Sequence, residues 1–365
     1  MRTHLKRRFN LKRLVAGLCM PATILFFSAL FLKLTPSILA FGQTVGIASA
    51  IFTMPEGVYS LMETETPLPV KETESEVVTE ETKEVSKISV PDSEPEIAEE
   101  NKATLVYKTY VASPSTIYIP LENGFIKNCT SHSAEEIKKA ISSPPAFTIE
   151  KTDKPQVLIM HTHATESYFP FTGEYYDKTY SSRTTDNSKN MIAVGEKIKT
   201  ELEKAGIAVL HDKTQHDYPS YNGAYDRSAV TVKDYLKKYP SIKIVLDVHR
   251  DAIISGDTAT APVAEINGKT AAQVMIINGC ANSNINYPDF FKNLSFSADL
   301  ENQLEGDYKG LTRPILFDYR KYNQHLTTGS ILLEVGGHAN TLEQALYSGE
   351  LIGASLGKLL NSYQK

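Results

Sequence analysis

Apolar positions fall into three regimes along the chain. The first is an uncharged run, Leu14 to Leu32, stopped by Lys33. A helix needs roughly 20 apolar residues to cross a bilayer, so a transmembrane helix is expected at 14–33. Pro21 permits a kink without forbidding the span. Arg2, Lys6, Arg7, Arg8, Lys12 and Arg13 precede it with no acid among them. The positive-inside rule then places tail 1–13 in the cytoplasm and everything after Lys33 outside. A cleaved signal peptide is the competing reading, because Ser37-Ile38-Leu39-Ala40 and Ala48-Ser49-Ala50 allow processing. The length of the run favours a retained single-pass anchor.

The second regime, 34–103, holds a weakly apolar juxtamembrane segment and then an acidic stretch rich in Glu, Thr, Val and Ser. It has little to bury and reads as a disordered, self-repelling linker.

In the third regime short apolar runs alternate with amphipathic stretches. Residues 104–153 form an accessory segment, with strands expected at Thr104–Val111 and Thr116–Pro120 and a turn at Asn123-Gly124. Ser133 and Glu136 have capping-box spacing and open a helix through Ile141. The segment either packs on the main domain or binds a partner. From 154 to 365 the alternation becomes regular. Strands are expected at Val157–His161, Ile207–His211, Ile242–Val248, Pro314–Asp318 and Ile331–Val335. Helices are expected at Ser188–Ala205, up to Lys238, at Phe290–Leu304 and at Leu342–Leu360. Gly206 is a helix stop signal. Val263–Asn267 and Thr270–Ile277 read as a hairpin around Asn267-Gly268. The pattern predicts an α/β domain: an open, mostly parallel sheet with helices on both faces.

Composition narrows this picture only at a few points. A net charge of −5 argues against a general nucleic-acid binder. The three cysteines, Cys19, Cys129 and Cys280, form no Cys-x-x-Cys, so neither a disulfide framework nor cysteine ligation of zinc is expected. With no Trp in the chain, an aromatic platform for sugar would fall to Tyr or Phe.

Candidate chemistry collects at three strand ends, which converge on one edge of a parallel sheet. The first ends in His161-Thr-His163 with Glu166 beyond it. The second ends in Asp247-Val-His249-Arg250-Asp251, and the last carries Glu334 within Leu332-Leu-Glu-Val-Gly-Gly-His338. Imidazoles and carboxylates without cysteine are the ligand mix of a catalytic zinc (Zn2+) site, which keeps three protein ligands and an open fourth position. Such a metal lowers the pKa of bound water and polarises a carbonyl. The expected ligands are His163, Glu166 and His249, with Glu334 as the general acid/base. Arg250 is a candidate for the developing oxyanion, and Asp247 or Asp251 for orienting a ligand imidazole. Lone histidines are usually structural, so His4, His132, His211, His216, His325 and His338 default to non-ligands. His161 shares a face with His163 only while the strand stays extended. Glu334, a carboxylate inside an apolar strand, is the stronger signal, with a buried salt bridge as its plainer explanation.

Five blocks stand in order: Val157-Leu-Ile-Met-His-Thr-His-Ala-Thr-Glu-Ser-Tyr168, His211-Asp-Lys-Thr, Asp217-Tyr-Pro-Ser-Tyr-Asn-Gly-Ala-Tyr-Asp-Arg-Ser228, Val245-Leu-Asp-Val-His-Arg-Asp-Ala252 and Leu332-Leu-Glu-Val-Gly-Gly-His-Ala-Asn340. Together they resemble the stage II sporulation protein P family. The resemblance implies a zinc-dependent N-acetylmuramoyl-L-alanine amidase that cuts the bond between muramic acid and the stem peptide of peptidoglycan, with cross-link endopeptidase activity attributed to the same head. It also implies a role in forespore engulfment, beside a lytic transglycosylase (stage II sporulation protein D) and membrane protein M. The head is similar to the broader cell-wall amidases, which carry His, Glu, His and a final Glu. Three of these map onto His163, His249 and Glu334. The Glu that opens a helix there falls near Asp186-Asn-Ser-Lys-Asn190, which has none, so the second ligand is Glu166 or Asp186, or is missing. Glu166 ranks first for its short spacing from His163. The alternatives are a zinc carboxypeptidase or endopeptidase on the same substrate, or a metal-free wall-binding module.

Overall fold

The computed structural model describes residues 96–364. The span expected at 14–33 and the linker up to residue 95 lie outside them. Among the described residues no helix is long and apolar enough to cross a membrane.

The described chain is a mixed α/β structure with two sheets. Its strands are β1 (Lys102–Lys108), β2 (Tyr118–Pro120), β3 (Phe125–Asn128), β4 (Val157–Met160), β5 (Tyr175–Asp177), β6 (Val209–His211), β7 (Ile244–Asp251), β8 (Ile254–Ser255), β9 (Thr258–Ile266), β10 (Lys269–Ala272), β11 (Val274–Gly279), β12 (Thr312–Asp318) and β13 (Gly329–Gly337). Its helices are α1 (Ala134–Ile141), α2 (Met191–Lys204), α3 (Ala224–Lys238), α4 (Phe290–Asp307) and α5 (Leu342–Ser362).

The main sheet runs β2-β3-β12-β11-β13-β7-β4-β6. Five of its seven pairings are parallel, and β2–β3 and β11–β13 are antiparallel. Both faces are covered, and β4 shows how. Val157 and Ile159 join the large core with Val194 and Ile198 of α2 and Ile352 of α5. Leu158 and Met160 point the other way, to Val232 of α3. A two-residue side-chain period on a sheet buried on both faces gives this near-continuous apolar run.

The 104–153 segment supplies strands to both sheets. β1 lies parallel to β9 in the smaller sheet, ordered β10-β9-β1-β5. The β2–β3 hairpin extends the main sheet through β12. Helix α1 opens with the expected capping box between Ser133 and Glu136.

One expected element divides in two. β9 and β10 form the hairpin at Asn267-Gly268, both with positive φ, but its second arm does not continue to Ile277. At Gln273 the chain leaves the smaller sheet and enters the main one as β11. The buried Gln273 side chain makes the crossing affordable by accepting from Tyr110 N and donating to Tyr110 O and Gly310 O. Those backbone groups would otherwise be left without sheet partners.

Helix α5 closes onto α2 along Gly349, Gly353 and Gly357, spaced four apart. A Cβ at Gly353 would stand 2.7 Å from the Ile198 carbonyl oxygen. Bare backbone at these positions therefore sets how closely the helices approach. Helix α2 in turn begins beside the candidate site, where Met191 N donates to Glu166 O at 3.0 Å.

Candidate metal centre

Alternation on β7 and β13 fixes the site's face. Ile244, Leu246 and Val248 enter the large core, which turns Asp247 and His249 to the opposite face. On β13, Leu333 and Val335 enter the same core and Leu332 faces away from it. Glu334 therefore shares the face of His249, and the register pairs the two directly across neighbouring strands.

His163 and Glu166 come from the turn that follows β4. The turn is held from two sides. Thr162 donates through N and Oγ1 to Asp247, at 2.8 and 2.7 Å. Thr165 donates through Oγ1 to buried Asp217 at 2.6 Å. Asp217 also pairs with Arg183 at 3.0 Å.

Among the described residues, His163, Glu166 and His249 form the group spaced to hold a metal ion, with one ligand atom from each, all within 4.8 Å of one another. All three are buried, at 2, 5 and 2 % exposure. Glu166 spans the two rings, with Oε1 3.6 Å from His163 Nδ1 and Oε2 3.5 Å from His249 Nδ1. The other ring nitrogen of His249, Nε2, donates to Asp247 Oδ1 at 2.8 Å. Two imidazoles, a carboxylate and a carboxylate-oriented ring are the donor set and support that zinc requires, so the residues fit the ion.

The buried charges favour an anionic Glu166 and a cationic His249. Burial alone would raise the Glu166 carboxyl, yet Arg250 and the two imidazoles hold it well below the usual range. Burial would lower the His249 ring, but Asp247 and Glu166 raise it well above the ordinary value. Glu334 is half-buried, and its Oε2 has no hydrogen-bond partner. Burial, with Asp251 and Glu166 adding to it, pushes this carboxyl up to about 8. A proton-transfer group poised near neutrality has the value general acid–base work needs.

The other expected residues are placed as follows. Asp247 orients His249, whereas Asp251 pairs with Arg313 at 2.8 Å. The Arg250 guanidinium donates to Ser167 O and to Ser182 O and Oγ, each at 3.1 Å. It also lies 3.8 Å from Glu166, so its contacts are those of a support for that carboxylate. Asp186 sits apart and accepts from Ser188 N and Oγ. His161 faces α2, where its Nε2 meets His211 Nε2 at 2.9 Å. Burial and His211 push its pKa down to about 3. His216 bonds His161 O and Thr231 Oγ1.

Residue patterns did not single out the aromatic and ionic wall of the site. Tyr221 stacks on His163 with centroids 4.5 Å apart, and the Arg183 guanidinium lies over the Tyr221 ring, 4.8 Å from its centroid. Tyr225 meets His163 edge-on and stacks on Tyr322. The one available cue was the Tyr-rich block 217–228, which counted only through its family resemblance.

A model of the stage II sporulation protein P family matches residues 43–356. The chain is 33% identical over 216 residues to stage II sporulation protein P of Bacillus subtilis (strain 168), a match covering 56% of this chain and 50% of that relative. It thus spans half the length of that relative. Among solved structures, it is similar to the apo N-acetylmuramyl-L-alanine amidase Ami1 of Mycobacterium abscessus at 13% identity and TM-score 0.33, covering 57% of this chain and 99% of that one. It is also similar to the CwlD amidase of Clostridioides difficile, solved with the GerS lipoprotein, at 11% identity and TM-score 0.35, covering 57% and 98%.

Proposed function

The chain belongs to the stage II sporulation protein P family, and from that premise we propose that it is a zinc-dependent N-acetylmuramoyl-L-alanine amidase acting on peptidoglycan in sporulation. The observation that carries the reading is the buried His163–Glu166–His249 group, with Glu334 directly across the strand pair from His249.

His163, Glu166 and His249 would hold the ion, which when bound would supply Lewis acidity and lower the pKa of the attacking water. Asp247 keeps the His249 ring turned so that Nδ1 faces Glu166. Arg250 and Arg183 keep the Glu166 carboxylate charged and in place. Glu334 takes a proton from the attacking water and returns it to the departing nitrogen. The water oxygen joins the lactyl carbonyl carbon and the carbon–nitrogen bond breaks. The products are a lactyl carboxylate and a stem peptide with a free alanine amino group. We extend the proposal to a membrane anchor at 14–33 with the head outside the cytoplasm, and to engulfment beside stage II sporulation protein D and membrane protein M.

The test incubates the full chain with purified peptidoglycan, beside Glu334→Ala, and measures bound zinc and released products. One equivalent of zinc in both proteins, and alanine-terminated stem peptides from the wild type only, is the expected result. Absence of zinc from the wild type would overturn the site. Zinc with trimmed stems in place of intact ones would overturn the bond assignment.

A further inference from the structure

We propose that Arg313 is the carboxylate-binding residue of this site and selects substrates with a free carboxylate on the peptide side of the bond cut. The inference deepens the reading above and rests on the site acting on muramoyl peptides.

Arg313 lies on the same row as the candidate machinery. The register pairs His249 with Glu334, Glu334 with Met275, and Met275 with Arg313. Residues in direct register across strands share a face, so the Arg313 side chain leaves the sheet on the side of Glu334 and His249. Two strand spacings separate it from Glu334, roughly 9.5 Å. Met275 between them is only partly buried.

The guanidinium has one occupied edge and one unoccupied edge. Nη1 donates to Asp251 Oδ2 at 2.8 Å. Nε and Nη2, which form the other edge, are buried and have no hydrogen-bond partner among the described residues, although the residue is only 7 % exposed. A buried charged donor pair without an acceptor is costly and rare. Two parallel N–H groups on one planar edge match the two oxygens of a carboxylate, which accepts both at once. Asp251 holds the guanidinium at Nη1 and leaves the Nε/Nη2 edge to another acceptor. The half-buried Tyr110 ring lies over the guanidinium, 5.9 Å from it. A ligand would reach the fork past this ring.

The spacing suits a peptide leaving group. In an extended stem, the α-carboxyl of the second residue lies about 7 Å from the carbonyl carbon under attack, counting about 3.8 Å between α-carbons. An Arg side chain two strands along the same row bridges the remaining distance. A carboxamide at that position offers one acceptor and no charge, so it loses half of the fork and its electrostatic part.

The test measures dissociation constants of the full chain, in detergent, for a muramoyl dipeptide ending in a free α-carboxylate and for the same compound as its α-amide. The wild type is compared with Arg313→Gln and Arg313→Lys, each checked by its thermal unfolding curve. Wild type is expected to prefer the carboxylate by about 10- to 100-fold, the difference between charge-assisted and ordinary hydrogen bonds. The preference should fall to about one in Arg313→Gln. It should fall only partly in Arg313→Lys, which keeps the charge without the fork. Equal affinities in the wild type, no binding of either compound, or a preference that survives Arg313→Gln would overturn the proposal. Products are read separately: a preference that depends on Arg313 without amide cleavage would sink the amidase reading and leave the carboxylate site standing.

Discussion

Asp247 Oδ1 accepts from His249 Nε2 at 2.8 Å, and this bond decides which nitrogen of His249 faces Glu166. The same carboxylate accepts from Thr162 N and Oγ1, one residue before His163. One buried acid thus holds two candidate ligands in place, one on β7 and one in the turn after β4. Asp247→Asn keeps the shape but removes the charge that steadies the ring. Outer partners of this kind are typically worth about 10- to 100-fold in metal affinity. Zinc affinity, measured by competition with a chromophoric chelator, should fall by about that factor while the unfolding curve keeps its shape. Unchanged affinity would mean that His249 is not a ligand.

Much of this arrangement was legible along the chain, for a definite reason. A two-residue period puts Asp247 and His249 on one face of β7, and the large core on the other face confirms the phase. The same rule argues against placing Arg250 beside His249, because consecutive strand residues face opposite ways. Arg250 accordingly reaches Ser167 and Ser182. What the residues could not supply is sheet order. Nothing local says that β13 lies between β11 and β7, so the register pairing of Glu334 with His249 rests on topology. The Arg183–Asp217 pair joins two aperiodic loops, where no pattern carries a spatial prediction. The division of the expected hairpin at Gln273 was hidden similarly, since its cause is a side-chain amide bonding to Tyr110 and Gly310, both remote in the chain.

Glu334 should make the metal-stripped protein sensitive to pH. Its folded pKa is about 8, against about 4.3 for an unfolded Glu. Between these values the native state binds more protons than the unfolded state, so stability falls as pH rises. The contribution is fully present below about pH 4.3 and is lost as pH passes through about 8. Glu334→Gln cannot titrate and lacks this slope. In chelator, its Tm at pH 8 should exceed that of the wild type by at least about 2 °C, with the gap closing toward pH 5. Parallel Tm profiles for the two proteins would show that the Glu334 environment is not as described.

The glycine row on α5 gives a prediction in which two effects compete. In an exposed helix, Gly→Ala gains about 0.8–1.0 kcal/mol from propensity. At Gly353 the added methyl would stand 2.7 Å from a backbone oxygen of α2, which cannot rotate away. Overpacking of this kind costs about 1–3 kcal/mol, so the clash wins. Urea unfolding of Gly353→Ala should show a net loss of up to about 2 kcal/mol. Gly306→Ala on α4 is the contrast, because its methyl meets only the movable Asn123 side chain at 3.2 Å. It should be neutral or stabilising, and the reverse ranking would contradict the packing of α5 on α2.

Glu301 separates the effect of burial from the effect of the metal. It is buried on α4, accepts from Thr312 Oγ1 at 2.8 Å through Oε1, and has no partner at Oε2. Burial, with Glu305 adding to it, pushes its carboxyl well above the usual range. Its sign is that of Glu334: stability is present below the unfolded value of about 4.3 and declines as pH rises toward the folded value. Glu301→Gln should therefore raise Tm at pH 7–8 more than at pH 5. Zinc distinguishes the two carboxylates. A dication held at His163, Glu166 and His249 favours the charged form of nearby Glu334, so zinc should reduce the benefit of Glu334→Gln. Glu301 contributes nothing to that cluster, and the benefit of Glu301→Gln should be the same with zinc and with chelator. Thermal scans of both variants across pH 5–8, with and without zinc, make the comparison. An equal response of both to zinc would place the ion elsewhere than beside Glu334.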